Sequence, residues 1–416
     1  MRRNHANLNR RFVETAFICA TAIVSAIALV AATAPAHADA PPRARIPVGS
    51  WILTRQPDGH VAVVTGTEAI EIATRAAEGT PGPAVLSMET DQPVHALDVV
   101  GTENDPLRGQ QWALDKTSFE AAWKVTRGQG VKVAVVDSGV ESAHQDLQGS
   151  VLAGKDYVNP GDDGRVDPNG HGTHVAGIIA AHVGNALGID GAAPGVDILP
   201  VRVLDATGGG VASNVAKGII WAADHGARVI NLSLGGGRSA GLQQAIQYAN
   251  SKRAVVIAAG GNNAQTGNAP MYPAAYPEAI AVAAVDSKLS HAVFSNTGTY
   301  LDVAAPGDHI VSLWGNSPTA YAAASGTSMA TPYASAEAAL IVAAAPAVTA
   351  LGVKQIMQST AIHLGPNVMF GHGLINPSTA VLAARAQHAL HPRPTQQQLQ
   401  RRRNQARINQ WLRALR

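Results

Sequence analysis

Between residues 131 and 304 the chain carries seven short, nearly unbroken apolar runs: Val131–Val136, Val151–Val158, Asp197–Val203, Arg228–Leu234, Ala254–Ala259, Ala279–Val285 and Leu301–Ala304. Each is short and rich in Val, Ile or Ala, which predicts strands buried on both faces. Small-residue or amphipathic stretches predict helices at Thr173–Ala181, Val211–His225, Gly241–Ser251, Met329–Ala345 and Val353–Thr360. Strands apolar on both faces and separated by helices predict an α/β fold, with a mostly parallel sheet of about seven strands covered on both sides. Sites in such sheets gather at the carboxyl ends of the strands.

A different pattern precedes this body. Trp51–Thr54 and His60–Val64 flank the turn pair Asp58-Gly59, then Thr67–Ala77 reads as a helix, with further strands at Pro83–Leu86 and Val94–Leu97. Residues 39–103 are therefore predicted to form a small α+β unit. Ahead of it, Arg2, Arg3, Arg10 and Arg11 precede an apolar stretch from Ala16 to Ala34 and the small-x-small site Ala36-His37-Ala38. That order marks residues 1–38 as an export signal cut after Ala38, with an uncleaved membrane anchor as the alternative. The expected destination is the periplasm or the medium, or a membrane-tethered form if the segment stays.

Composition narrows the class. With 46% hydrophobic and 14% charged residues, the chain can build a sizeable core. Its one cysteine, Cys19, lies in the export signal, so neither a disulfide framework nor a cysteine-zinc site is available. Residues 1–38 carry +3 and residues 393–416 carry +7, which leaves −8 for the rest of a chain whose total is +2. An acidic body excludes a nucleic-acid-binding one, which needs clustered positive charge. In the tail, residues 388–416, apolar positions such as Leu399, Ile408, Trp411 and Leu415 fall near one helical face among arginines. That predicts either a solvated tail or a basic amphipathic helix for a membrane surface.

Three blocks carry candidate chemistry. Val133-Ala-Val-Val-Asp137-Ser-Gly sets a carboxylate where an apolar strand ends. Asn169-Gly-His171-Gly-Thr-His174 sets a histidine at a helix entry between glycines. Ser325-Gly-Thr-Ser328-Met-Ala-Thr-Pro sets a serine where a long alanine-rich helix begins. Each has a bland reading as a turn cap, a packed histidine or an N-cap. Together they supply a nucleophile, a base and an orienting acid. A fourth block, Val255–Ala259 followed by Gly260-Gly261-Asn262-Asn263, can aim a side-chain amide at an oxyanion. His171 and His174 lack the acid of a zinc helix, so no metal is assigned to them.

These blocks resemble those of the subtilisin-like serine proteases, whose reactive residues follow the same order of Asp, His and Ser along the chain. The resemblance runs from about Asn104 to Gln387 and implies the family's three-layer fold over residues 104–387. It implies a serine endopeptidase in which Asp137 orients the imidazole, His171 acts as base then acid, Ser328 attacks and Asn262 holds the oxyanion, with Asn263 the weaker candidate. It also implies that Ser233, Leu234, Gly235 and Gly236, with Ala258, Ala259 and Gly260, wall the pocket for the residue before the cut. None of these is acidic, so uncharged or apolar side chains are expected there. By position, residues 39–103 correspond to an inhibitory propeptide cut near residues 98–104.

No cofactor is required by such chemistry. Calcium is common in the family, and Asp162, Asp163, Asp167 and Asn185 are its candidates here. The expected partners are protein or peptide substrate and the chain's own propeptide, with a monomer as the expected state. An α/β-hydrolase would place its serine in G-x-S-x-G and first in order, which this chain does not. A non-catalytic binding protein on the same fold would have no reason to hold all three reactive residues.

Overall fold

The computed structural model describes residues 49–77, 80–91, 93–96, 102–103, 108–315 and 317–390. The expected export signal, most of the basic tail and part of the expected propeptide cut lie outside them. In chain order the first elements are β1 (Ser50–Arg55), β2 (Val61–Thr65), α1 (Gly66–Ala77), β3 (Ala84–Thr90), β4 (Pro93–Ala96) and β5 (Thr102–Glu103). Next come β6 (Lys132–Asp137), β7 (Lys155–Asp156), α2 (His171–Ala180), β8 (Asp197–Arg202), β9 (Gly209–Val211), α3 (Ala212–Asp224), β10 (Val229–Leu232) and β11 (Leu234–Gly236). The chain continues through α4 (Ala240–Ser251), β12 (Val255–Ala259), β13 (Ile280–Val285), β14 (Val303–Pro306), β15 (Ile310–Leu313) and β16 (Tyr321–Ala324). It then forms α5 (Thr327–Ala344), α6 (Ala350–Thr360) and α7 (Pro377–Leu390).

Seven strands build the main sheet in the order β14-β13-β12-β10-β6-β8-β7, every neighbouring pair parallel. Although the strands read as continuous apolar runs, alternate residues serve two cores. Val133 and Val135 pack with α2 and α5, whereas Ala134 and Val136 pack with α3 and α4. The chain leaves β6 for β8 and β7 on one side, then returns to β10, β12, β13 and β14 on the other. The gap between the loops after β6 and β10 is therefore the switch point where a ligand crevice forms.

Two strand expectations need correction. The run Val151–Val158 yields only the two-residue β7 and an isolated bridge from Val151 to Ile198, because Gly154 must pass against the carbonyl of Pro200 and breaks the run. The last strand lies at Val303–Pro306, two residues later than Leu301–Ala304, since Leu301 precedes the point where Val303 pairs with Val282.

The N-terminal unit is an antiparallel sheet, β2-β1-β3, with α1 on one face. Period-two alternation divides β1: Ile52 packs with Val64 and Ala69 beneath α1, while Trp51 and Leu53 join the core around α3 and α4. Trp51 lies so close to the start of α4 that a Cβ at Gly241 would sit 2.1 Å from its ring. Beyond β3, β4 runs antiparallel between β9 and β11, making a second three-stranded sheet.

Candidate active site

Asp137 is the last residue of β6, and Gly139 and Gly172 let the next turn and α2 close on each other. A Cβ at Gly139 would stand 2.2 Å from the carbonyl oxygen of Val166, and one at Gly172 would stand 2.0 Å from that of Gly139. No side chain larger than hydrogen fits either place, so the glycines of the motif bring the histidine helix onto the aspartate strand. His171 opens α2, and its Nδ1 donates to Asp137 Oδ1 at 2.7 Å. The same oxygen accepts from the Ser138 amide at 2.7 Å. Burial alone would lower the His171 pKa, but the charge and hydrogen bond of Asp137, together with the charge of Asp167, raise it above its ordinary value. Its Nε2 is buried with no hydrogen-bond partner among the described residues.

Ser328 is the second residue of α5, a helix that carries Pro332 in its interior. Proline has no amide hydrogen, so the carbonyl four residues back, that of Ser328, loses its helical partner. The Ser233 hydroxyl fills the gap, donating to Ser328 O at 2.7 Å, while Ser328 Oγ donates to Ser233 O at 3.1 Å. Asn231 and Ser335 support that hydroxyl from behind through bonds of 2.9 and 2.8 Å. The structure thus joins Asp137 to His171 and Ser328 to Ser233, and the bond from the Ser328 hydroxyl to His171 Nε2 is not formed in it. Such bonds are commonly long until substrate is bound.

Asn262 follows Gly261, whose φ of +114° only glycine adopts without strain. Its Oδ1 accepts from both the amide and the hydroxyl of Thr327, each at 2.8 Å. Two donors on one oxygen fix the amide's orientation, leaving Nδ2 buried with no partner among the described residues. Asn263 is held differently, its backbone amide donating to Asn296 Oδ1 at 2.8 Å. Of the two, only Asn262 presents an oriented, unspent amide beside the start of α5.

The two expected wall segments differ in backbone pairing. Leu234, Gly235 and Gly236 form an edge, pairing with Ala96, His95 and Val94 of β4, while Ser233 is engaged with Ser328. Ala258 instead pairs with both Leu232 and Ala281 inside the main sheet, so it offers no free backbone edge. Ala259 pairs with Val282, and Gly260 donates to Val282 O at 2.9 Å while its own carbonyl accepts from Tyr300 at 2.7 Å. The opposite edge is β9, where Val211, Gly210 and Gly209 pair with Pro93, Val94 and His95. Sequence reading missed that edge, although the run Gly208-Gly209-Gly210 was its available signal.

Three of the four calcium candidates have protein partners. Asp163 pairs with Arg165 at 2.7 Å, and Asn185 Nδ2 donates to Asp146 Oδ1 at 2.7 Å. Asp167 turns both oxygens to protein donors. Among the described residues no group of three or more His, Cys, Asp or Glu side chains is arranged to hold a metal ion. His174 is a packed residue: its Nε2 lies 3.1 and 3.2 Å from the carbonyls of Ile310 and Ala322, and burial followed by the nearby His171 pushes its pKa down to about 3.

Comparison with known proteins bears on the same region. The sequence model of the subtilase family matches residues 128–373. Thermitase from Thermoactinomyces vulgaris is 46% identical over 284 residues, covering 67% of this chain and 99% of that protein. Subtilisin DY from Bacillus licheniformis is 42% identical over 258 residues, covering 61% of this chain and 92% of its own length. Among solved structures, a protease from Pseudoalteromonas arctica PAMC 21717 superposes with a TM-score of 0.62 at 32% identity, covering 68% of this chain and 99% of that one.

Proposed function

We propose, from the premise that this chain belongs to the subtilase family and is a serine endopeptidase, that Asp137, His171, Ser328 and Asn262 carry its reaction. The observation that carries this reading is the buried 2.7 Å bond from His171 Nδ1 to Asp137 Oδ1, which leaves Nε2 as the only ring atom able to take a proton. Ser328 Oγ adds to the scissile carbonyl carbon as its proton passes to Nε2. The carbonyl oxygen, now negative, accepts from Asn262 Nδ2 and lies in the positive field at the start of α5. Collapse expels the amine, which takes the proton from Nε2, and leaves an ester on Ser328. Water, giving its proton to Nε2, then releases the new carboxylate and restores the serine. These steps call on no metal or other cofactor.

Substrate, on this reading, is an extended peptide added as a strand between β9 and β11, the place that β4 occupies here. The edges consist of Gly209–Val211 and Leu234–Gly236, without an acidic side chain, which supports a preference for uncharged residues before the cut.

The same arrangement supports a latent precursor. Two prosegment carboxylates sit on the starts of two adjacent helices, where exposed amides and the helix field favour negative charge. Glu89 accepts from Ser239 Oγ and the Gly241 amide, both at 2.7 Å, and from the Ala240 amide at 3.2 Å. Asp91 accepts from the Ser213 amide at 2.9 Å and from the Ser213 hydroxyl. Together with Trp51 these contacts hold β4 across the peptide-binding edges until the segment is cut away. Export through residues 1–38 completes the proposal; among the described residues no helix is long and apolar enough to cross a membrane. Expression of the wild type beside Ser328→Ala tests it. The variant is expected to remain at precursor size and to leave casein intact, and casein hydrolysis equal to wild type would overturn the assignment.

A further inference from the structure

Asp167 is fully buried, is not one of the reacting residues, and forms no salt bridge with a cation among the described residues. A buried carboxylate is costly unless hydrogen bonds satisfy it, and this one is satisfied by the two segments that carry the reacting residues. Oδ1 accepts from the Ser138 hydroxyl at 2.8 Å, the Gly170 amide at 2.9 Å and the Asn169 amide at 3.1 Å. Oδ2 accepts from the Thr173 amide at 2.8 Å and the Thr173 hydroxyl at 2.6 Å. Ser138 adjoins Asp137 and gives it an amide hydrogen bond, while Gly170 and Thr173 bracket His171. Ser138 Oγ closes the ring by accepting from the Gly172 amide at 3.0 Å.

We propose that Asp167 is a positioning residue for the reaction: its carboxylate clamps the turn after β6 to the first turn of α2 and so sets the separation of Asp137 and His171. The inference rests on the reading of Asp137, His171 and Ser328 as the reacting trio. The clamp follows from valence. Five donors converge on the two oxygens, and an ionised carboxylate is the side chain that meets them with acceptors alone. An amide of the same shape has one acceptor oxygen and an NH2, which would face either Thr173 or Ser138, both already donors. Substitution by Asn therefore breaks the bonds to one of the two segments.

Charge gives a second, separable consequence. The titratable groups whose charge acts on the His171 ring are Asp137 at the end of β6 and Asp167 in the preceding loop, while His174 on the same helix is itself held neutral by burial and by the His171 charge. Asp137 and Asp167 both favour the imidazolium. Neutralising Asp167 removes part of that support, so the ring loses its proton at lower pH.

The test compares Asp167→Asn with wild type, both expressed as the full chain and normalised to the concentration of sites that react with a fluorophosphonate. The expected result is a kcat per titrated site lowered about 10- to 100-fold, the scale of a misplacement near 1 Å, with KM changed less than about twofold. The acid limb of kcat/KM should also move to lower pH. A purely structural role would lower the melting temperature and the number of titrated sites while leaving kcat per site and the acid limb unchanged, and that result overturns the proposal. Should no Asp167→Asn molecule react, Ser138→Ala decides, since it cuts the link to the Asp137 turn yet keeps the charge and the Thr173 bonds. It should lower kcat per site several-fold with the acid limb in place, and an unchanged kcat refutes the clamp. Failure of the trio reading is distinct, because it requires Ser328→Ala to hydrolyse casein.

Discussion

Glu337 stands in the middle of α5 with none of its surface exposed, in a run of alanines that reads as plain helix core. One carboxyl oxygen accepts from the Asn376 amide at 2.9 Å, and the other has no partner among the described residues. Burial pushes its pKa up to about 8 against the hydrogen bond from Asn376, from an ordinary value of 4.5. The native protein therefore binds one more proton than the unfolded chain between those two values. The stability this group supplies is fully present below pH 4.5, is lost as pH rises toward about 8, and changes little beyond. At about 1.4 kcal/mol per pH unit, that window amounts to roughly 4 to 5 kcal/mol, an order-of-magnitude figure. Glu337→Gln keeps an acceptor for Asn376 and removes the titration. Urea unfolding of Ser328→Ala and of Ser328→Ala/Glu337→Gln, at intervals from about pH 5 to about pH 8, isolates the effect because both lack self-digestion and share every other ionisable group. The first should lose stability relative to the second as pH rises. Parallel stability curves would show that Glu337 is not the proton-binding group and would refute the reasoning.

Two further outcomes follow from the site. Asn262→Ala removes the oriented and unspent amide, and kcat on a peptide substrate is expected to fall about 100- to 1000-fold with KM little changed; a loss under about tenfold would return the role to another donor. Glu89→Ala, placed in the full-length Ser328→Ala chain, strips the start of α4 of three bonds from the N-terminal unit and should reduce stability by about 1 to 2 kcal/mol, visible as a lower urea midpoint. An unchanged midpoint would mean that the N-terminal unit packs without help from that contact.

Legibility in the sequence followed the range of the interactions involved. The strands β6, β8, β10, β12 and β13 were readable because continuous burial imposes continuous apolarity on neighbouring residues. The candidate residues stood out because three blocks together resemble those of one family and each sits at a local device: a strand end for Asp137, flanking glycines for His171, a helix start for Ser328. Where packing partners are distant, the signal failed. Gly154 cut short the predicted strand at Val151–Val158 because of Pro200, a residue 46 positions away. Ala258 and Ala259 read as strand-end residues with exposed backbone, yet pairing with β10 and β13 takes that backbone into the sheet.

Sequence by itself determined the order of elements and the parallel sheet, which depend on periodicity and on backbone geometry within a few residues, and its resemblance to one family named the candidate aspartate, histidine and serine. Tertiary structure alone decided that Asp167 spans the turn after Asp137 and the helix that His171 opens, that Ser233 takes the carbonyl that Pro332 leaves without a partner, and that β4 lies between β9 and β11. Each of these depends on groups far apart along the chain, and hydrogen-bond valence across such distances leaves no periodic trace in the sequence that carries it.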